Sequence, residues 1–127
     1  MSKTFATAIN CMDGRIQRPV IKFLLENYDV DYVDMITEMG PNKILAEGQE
    51  EDTIASFKKK VAVSVEKHGS TLIAVAAHHD CAGNPASDDI QKKQLLKSIK
   101  VVTSWGFPVK KIIALWLDEK FTPSVIS

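Results

Sequence analysis

The chain has 127 residues, 45% hydrophobic and 25% charged, with sixteen basic side chains balanced by sixteen acidic ones. This composition suits one globular domain over residues 1–127, with a core that stands without disulfides. Balanced charge excludes an electrostatic footprint for nucleic acid, no run nears the ~20 apolar residues of a membrane span, and MSKTFATAIN lacks the pattern of a secretory signal, so a cytoplasmic location is expected.

The first apolar run, residues 5–10 (FATAIN), reads as a strand. It stops at CMDGRI, where Cys11, Asp13 and Arg15 stand at alternate positions. Residues 19–28 (PVIKFLLENY) put Val20, Leu24 and Tyr28 on one helical face. Pro19 fits the first turn of that helix, where its missing N–H costs nothing. Residues 30–36 (VDYVDMI) form the second predicted strand. Residues 39–49 (MGPNKILAEGQ) carry Pro41 and two glycines and predict a loop with one short helical turn.

Residues 50–68 place Ile54, Phe57, Val61 and Val65 at helical spacing and end at His68-Gly69, a helix stop. Lys58-Lys59-Lys60 is read as the solvated face of that helix. His68 beside the stop suits the negative end of the helix dipole and is assigned no chemistry. Residues 72–77 (LIAVAA) are apolar throughout, as a strand covered on both faces should be. Residues 88–105 carry Leu95, Ile99 and Val102 at helical spacing, with Ser87 or Asp88 as cap and Gly106 and Pro108 as terminators. Residues 112–117 (IIALWL) are the last predicted strand.

Strand and helix alternate, which predicts an α/β fold: a central, mainly parallel four-stranded sheet of order 2-1-3-4 with helices on its faces. Ligands bind such sheets beyond the carboxyl ends of the strands, where the strand order reverses. With the first strand central, CMDGRI and HHDCAG face each other across a crevice.

Two thiolates and an imidazole are a zinc ligand set. Cys11, His78 and Cys81 are therefore the candidate metal ligands, with His78 preferred to His79 because it gives the H-x-x-C spacing. Three ligands leave a fourth position, where the pKa of bound water falls toward ~7. Asp13 either orients that water or takes the fourth position itself, and a bidentate clamp by Arg15 holds it off the metal. His79 and Gly83 are candidate supporting residues, His79 also a proton carrier or a solvent-facing loop residue. Buried, unliganded cysteines are the plain alternative, as is a disulfide formed on oxidation after metal loss. Asp80 is expected to cap the following turn or to accept hydrogen bonds from backbone N–H groups. Glu38 falls where a pocket wall would stand, or is a solvated loop carboxylate. Phe57 and Trp116 are expected in the core, and Met35 and Met39 in core or pocket.

C-x-D-x-R at Cys11–Arg15 followed by H-x-x-C at His78–Cys81, each at a strand end, resembles the β-class carbonic anhydrases over nearly the whole chain. The resemblance implies Zn2+ on Cys11, His78 and Cys81, and Asp13 with Arg15 as the dyad beside the bound water. It implies reversible hydration of carbon dioxide to bicarbonate by zinc-bound hydroxide, and a homodimer or higher assembly. The sequence departs from that pattern at Thr37-Glu38-Met39-Gly40, where the family carries arginine, asparagine, alanine and glycine. Ala82, with Gly83 after it, replaces the glycine following the second cysteine. The helical arm before the first strand and its glutamine have no counterpart ahead of Cys11, and the insert before the last strand is trimmed. Those departures raise two alternatives: a zinc hydrolase of carbon disulfide or carbonyl sulfide, and a non-catalytic zinc-binding relative. Any dimer is expected to use other surfaces, such as the exposed faces of the first two helices.

Overall fold

A computed structural model describes residues 3–127. Five strands, β1 (Phe5–Cys11), β2 (Tyr32–Glu38), β3 (Leu72–His78), β4 (Lys111–Leu117) and β5 (Pro123–Ile126), form one sheet of order β2-β1-β3-β4-β5. The first four pair in parallel, as the alternating pattern predicts. β5 is an addition that runs antiparallel to β4, with Pro123 opposite Leu117. A proline opening a four-residue edge strand gives no ladder donor and leaves little sequence signal.

The helices are α1 (Gly14–Asn27), α2 (Pro41–Glu47), α3 (Glu51–Glu66) and α4 (Asp88–Ser104). α1 packs Ile16, Val20 and Leu24 against Ala6, Ala8, Ala74 and Ala76, whose small side chains let the helix lie close to the sheet. On the other face, Phe57, Val61 and Val65 of α3 and Leu95 and Val102 of α4 cover Ile9, Ile73, Val75 and Trp116. All seven residues of β3 are buried, because helices cover the sheet on both sides. Each large apolar side chain so buried contributes roughly 1.5–3 kcal/mol relative to exposure. No helix among the described residues is long and apolar enough to cross a membrane.

Two expectations need correction. α1 starts at Gly14 rather than at Pro19, because the Asp13 side chain accepts a hydrogen bond from the Arg15 backbone N–H and caps the helix there. Pro19 then falls in the second turn, where it cannot donate to the Arg15 carbonyl. Residues 39–49 hold the seven-residue α2, entered through Gly40 in the left-handed region (φ 52°) with Pro41 as the first helical residue. His68 follows the end of α3 as expected, and it also makes structural contacts: its Nδ1 lies 2.7 Å from Asp34 Oδ2 and its ring stacks on Phe5.

Candidate metal centre

Cys11 is the last residue of β1 and His78 the last of β3, and the two strands are neighbours. Their side chains therefore meet at one edge of the sheet. Cys81 joins them from the turn after β3, where Asp80 adopts φ 58° and the Asn84 N–H donates to the Cys81 carbonyl at 3.2 Å. The ligating atoms of Cys11, His78 and Cys81 all lie within 4.8 Å of one another, and all three residues are buried.

Three details fit this group to a zinc-sized cation. The two sulfurs are 3.8 Å apart. Bonds of about 2.3 Å at tetrahedral angles place two sulfurs ~3.8 Å apart. The His79 carbonyl lies 2.8 Å from His78 Nδ1, which fixes the tautomer with the proton there and leaves Nε2 as the free lone pair. That Nε2 is buried and has no hydrogen-bond partner, the kind of orphan that a native protein rarely leaves unexplained.

The thiols polarise each other. Hydrogen bonding from Cys81 is the main cause that brings Cys11 down to about 4, helped by His78 and opposed by burial. The hydrogen bond to Cys11, then burial and the charge on Cys11, push Cys81 well above the ordinary thiol range. One proton is therefore shared between two sulfurs, and a divalent cation would displace it. Burial would lower His78, but the Cys11 sulfur beside it and the hydrogen bond to the His79 carbonyl raise it on balance.

Asp13 lies beside this group, not within it. Arg15 donates from Nη2 to Asp13 Oδ2 at 2.7 Å and from Nε to Oδ1 at 3.1 Å, so the carboxylate is gripped by two guanidinium nitrogens. Those hydrogen bonds hold the Asp13 carboxyl down to about 2. The far edge of Arg15 reaches the Asp80 carbonyl at 3.0 Å and its carboxylate at 3.3 Å. Asp80 therefore anchors Arg15 and takes neither role expected of it. A cavity of about 270 Å³, lined by Cys11, Met12, Asp13, Met39, Ala82 and Gly83, opens onto the centre. A larger cleft of about 570 Å³ flanks Cys81 on the side of His79 and Asp88.

The remaining expected residues take specific places. The His79 ring turns away to the Asp88 carboxylate at 2.9 Å, so its backbone carbonyl, not its ring, supports His78. Gly83 is where two loops touch: a Cβ there would lie 2.6 Å from the Met39 Cβ. Glu38 ends β2, its carboxylate folded onto the Met39 N–H and its carbonyl accepting from the Met12 N–H. Phe57 and Trp116 are core residues, Met35 packs against the α1 side of the core, and Met39 is exposed at the cavity.

Sequence reasoning missed three supports. Gln17 Nε2 donates to the carbonyls of Cys11 (2.8 Å) and Asp13 (2.7 Å), bracing the turn between them. Buried Asn10 donates to the Cys11 carbonyl and to Gln17 Oε1. The Phe121 ring lies under the Arg15 guanidinium, 4.6 Å from its carbon. Motif spacing carries no signal for any of them; only the helix start at Asp13 would have brought Gln17 back over the turn.

Residues 1–127 match a protein-family model described as "Putative carbonic anhydrase". No curated protein matches the sequence. The fold is similar to the crystal structure of β-carbonic anhydrase isoform I from the protozoan Trichomonas vaginalis, with a TM-score of 0.61 and 19% identity over 94% of this chain and 81% of that one. It is likewise similar to a carbonic anhydrase from Streptococcus mutans, with a TM-score of 0.63 and 17% identity over 95% of this chain and 81% of that one.

Proposed function

The chain belongs to the carbonic anhydrase family whose model spans residues 1–127, and from that premise we propose that it is a zinc enzyme hydrating carbon dioxide reversibly to bicarbonate. In this reading residues 1–127 act as one zinc-binding domain, cytoplasmic and homodimeric. Cys11, His78 and Cys81 hold the metal. Zinc held there supplies a Lewis acid that makes water a nucleophile near neutral pH. The chain's own residues do the rest. Asp13 stays ionised and, with its position fixed by Arg15, accepts a hydrogen bond from water at the cavity floor and orients it. Met12, Met39, Ala82 and Gly83 give the cavity walls that suit a small uncharged substrate. His78 is kept in its ligating tautomer by the His79 carbonyl.

The observation that carries this reading is the buried, unpartnered His78 Nε2 facing two thiols at tetrahedral separation, with a clamped carboxylate beside them. Stopped-flow hydration of carbon dioxide by zinc-loaded protein at about pH 7–9 tests it. The expected result is acceleration above buffer, with Asp13→Ala retaining zinc and losing roughly a hundredfold or more in rate. Zinc-loaded protein with no acceleration refutes the activity. The exposed thioethers of Met12 and Met39 at the cavity favour one second reading, hydrolysis of a softer substrate such as carbon disulfide. Sulfide release from carbon disulfide separates the two.

A further inference from the structure

Three non-glycine residues among those described adopt positive φ: Asp29, Asp80 and Phe121. Two of them touch Arg15. Aspartate tolerates the left-handed region because its short polar side chain hydrogen-bonds locally. Phenylalanine has no such compensation, and a bulky residue there is a genuine outlier. Strain of this kind persists only where the surroundings enforce it, and it clusters at functional sites.

The surroundings of Phe121 do enforce it. The Asp118 carboxylate accepts from the backbone N–H groups of Lys120 (2.9 Å) and Thr122 (3.0 Å). The Phe121 N–H donates to the Asp118 carbonyl at 2.8 Å, and the Asp118 N–H to the Thr122 carbonyl at 3.2 Å. Four hydrogen bonds thus shape a tight turn between β4 and β5 whose product is one aromatic ring, set under Arg15 and 6.3 Å from the His78 ring.

The geometry points to Phe121 as a positioning residue for Arg15. The guanidinium is planar, and its in-plane partners are Asp13 on one edge and Asp80 on the other. Those bonds leave tilting out of the plane free, and the Arg15 side chain is 47% exposed. The ring closes that remaining freedom from below by cation–π contact. Asp13 therefore keeps one orientation toward the cavity because Arg15 cannot tilt. The link to catalysis rests on the role proposed above for Asp13; the contact itself does not.

The test uses metal-free and zinc-loaded protein with Phe121→Leu, Phe121→Gly and Phe121→Tyr. Glycine relieves the backbone strain, so that variant is expected to keep the fold even if leucine harms it. Solvent exchange of the Arg15 Nε–H in metal-free protein, followed by nitrogen-15 NMR, is expected to quicken about tenfold in the leucine and glycine variants. The tyrosine variant, which keeps the ring face, is expected to exchange like the parent. In zinc-loaded protein kcat is expected to fall about tenfold in the same two variants with KM unchanged. Unchanged Arg15 exchange in folded Phe121→Gly overturns the proposal, and so does equal loss of protection in Phe121→Tyr. A parent protein that hydrates no carbon dioxide refutes the activity proposed above, while the exchange measurement still decides the role of Phe121.

Discussion

Cys11 and Cys81, seventy positions apart in the chain, bring their sulfurs to 3.8 Å. That separation is too long for a disulfide bond of about 2.05 Å. It is also too close for two buried thiolates without a cation between them, so one sulfur must keep its proton. The pair is a site whose charge is unfinished, and the lone pair of His78 Nε2 beside it is unfinished in the complementary sense.

Zinc should therefore stabilise the fold as well as bind. At a hundred times its dissociation constant, a ligand specific for the native state adds about 2.7 kcal/mol. For a chain of this length that is a rise of about 10 °C in Tm. Calorimetry with zinc and with a chelator checks this. Cys11→Ser and Cys81→Ser should each abolish the rise. A parent Tm indifferent to zinc would refute the ligand set.

Asp13 should titrate abnormally in the metal-free protein. Hydrogen bonds from Arg15 hold its folded value near 2, below the ordinary 3.8. A lowered carboxylate stabilises the fold fully above the ordinary value, and that contribution fades as pH falls from about 4 toward 2. The side chain is partly exposed, so solvent screens the effect on stability. Carbon-13 NMR of the Asp13 carboxyl should give a midpoint near 2 in the parent, returning toward 3.8 in Arg15→Ala. An ordinary midpoint in the parent would mean that the clamp is open in solution.

Much of this centre was legible because it follows from strand order. The apolar run of β3 and the alternation of strands and helices predict β1 beside β3, and that adjacency alone brings Cys11 to His78. The start of α1 was misread because proline favours a first turn only where nothing caps the chain earlier, and Asp13 does. α2 was hidden between Gly40-Pro41 and Gly48, residues that usually mark a loop. The supports from Asn10, Gln17 and Phe121, and the carbonyl of His79, leave no trace in periodicity. They depend on contacts between elements or on backbone atoms that every residue carries.

Gly83 should not tolerate alanine. The added methyl would lie 2.6 Å from the Met39 Cβ and 3.2 Å from the Met39 backbone, so the loop at residues 39–40 must move. Overpacking of this kind costs about 1–3 kcal/mol. The displaced loop carries a wall of the cavity, so reshaped substrate access should accompany the lost stability. Gly14→Ala is the control, since nothing lies within 4 Å of a Cβ there. Urea unfolding of the two variants checks the contrast, and equal stability would mean that residues 39–40 and 83–84 do not pack as described.

Ser64→Ala should weaken the fold and spare the metal. The Ser64 hydroxyl lies 2.6 Å from the Thr7 hydroxyl, 2.7 Å from the Ser70 hydroxyl and 2.7 Å from Asp34 Oδ2. An ionised carboxylate only accepts, so the single Ser64 proton goes to Asp34, and Thr7 and Ser70 must donate to Ser64. All three hydroxyl residues are buried. Removing the hub strands two buried donors, at about 1–3 kcal/mol, or roughly 4–11 °C in Tm for this length. The cluster joins α3 to β1 and β2 at Thr7 and Asp34, four positions before Cys11 and Glu38 in the register of the two strands. Zinc affinity should therefore stay within about twofold of the parent, as expected for independent sites. Loss of zinc binding in Ser64→Ala would show that the cluster and the metal centre form one cooperative unit.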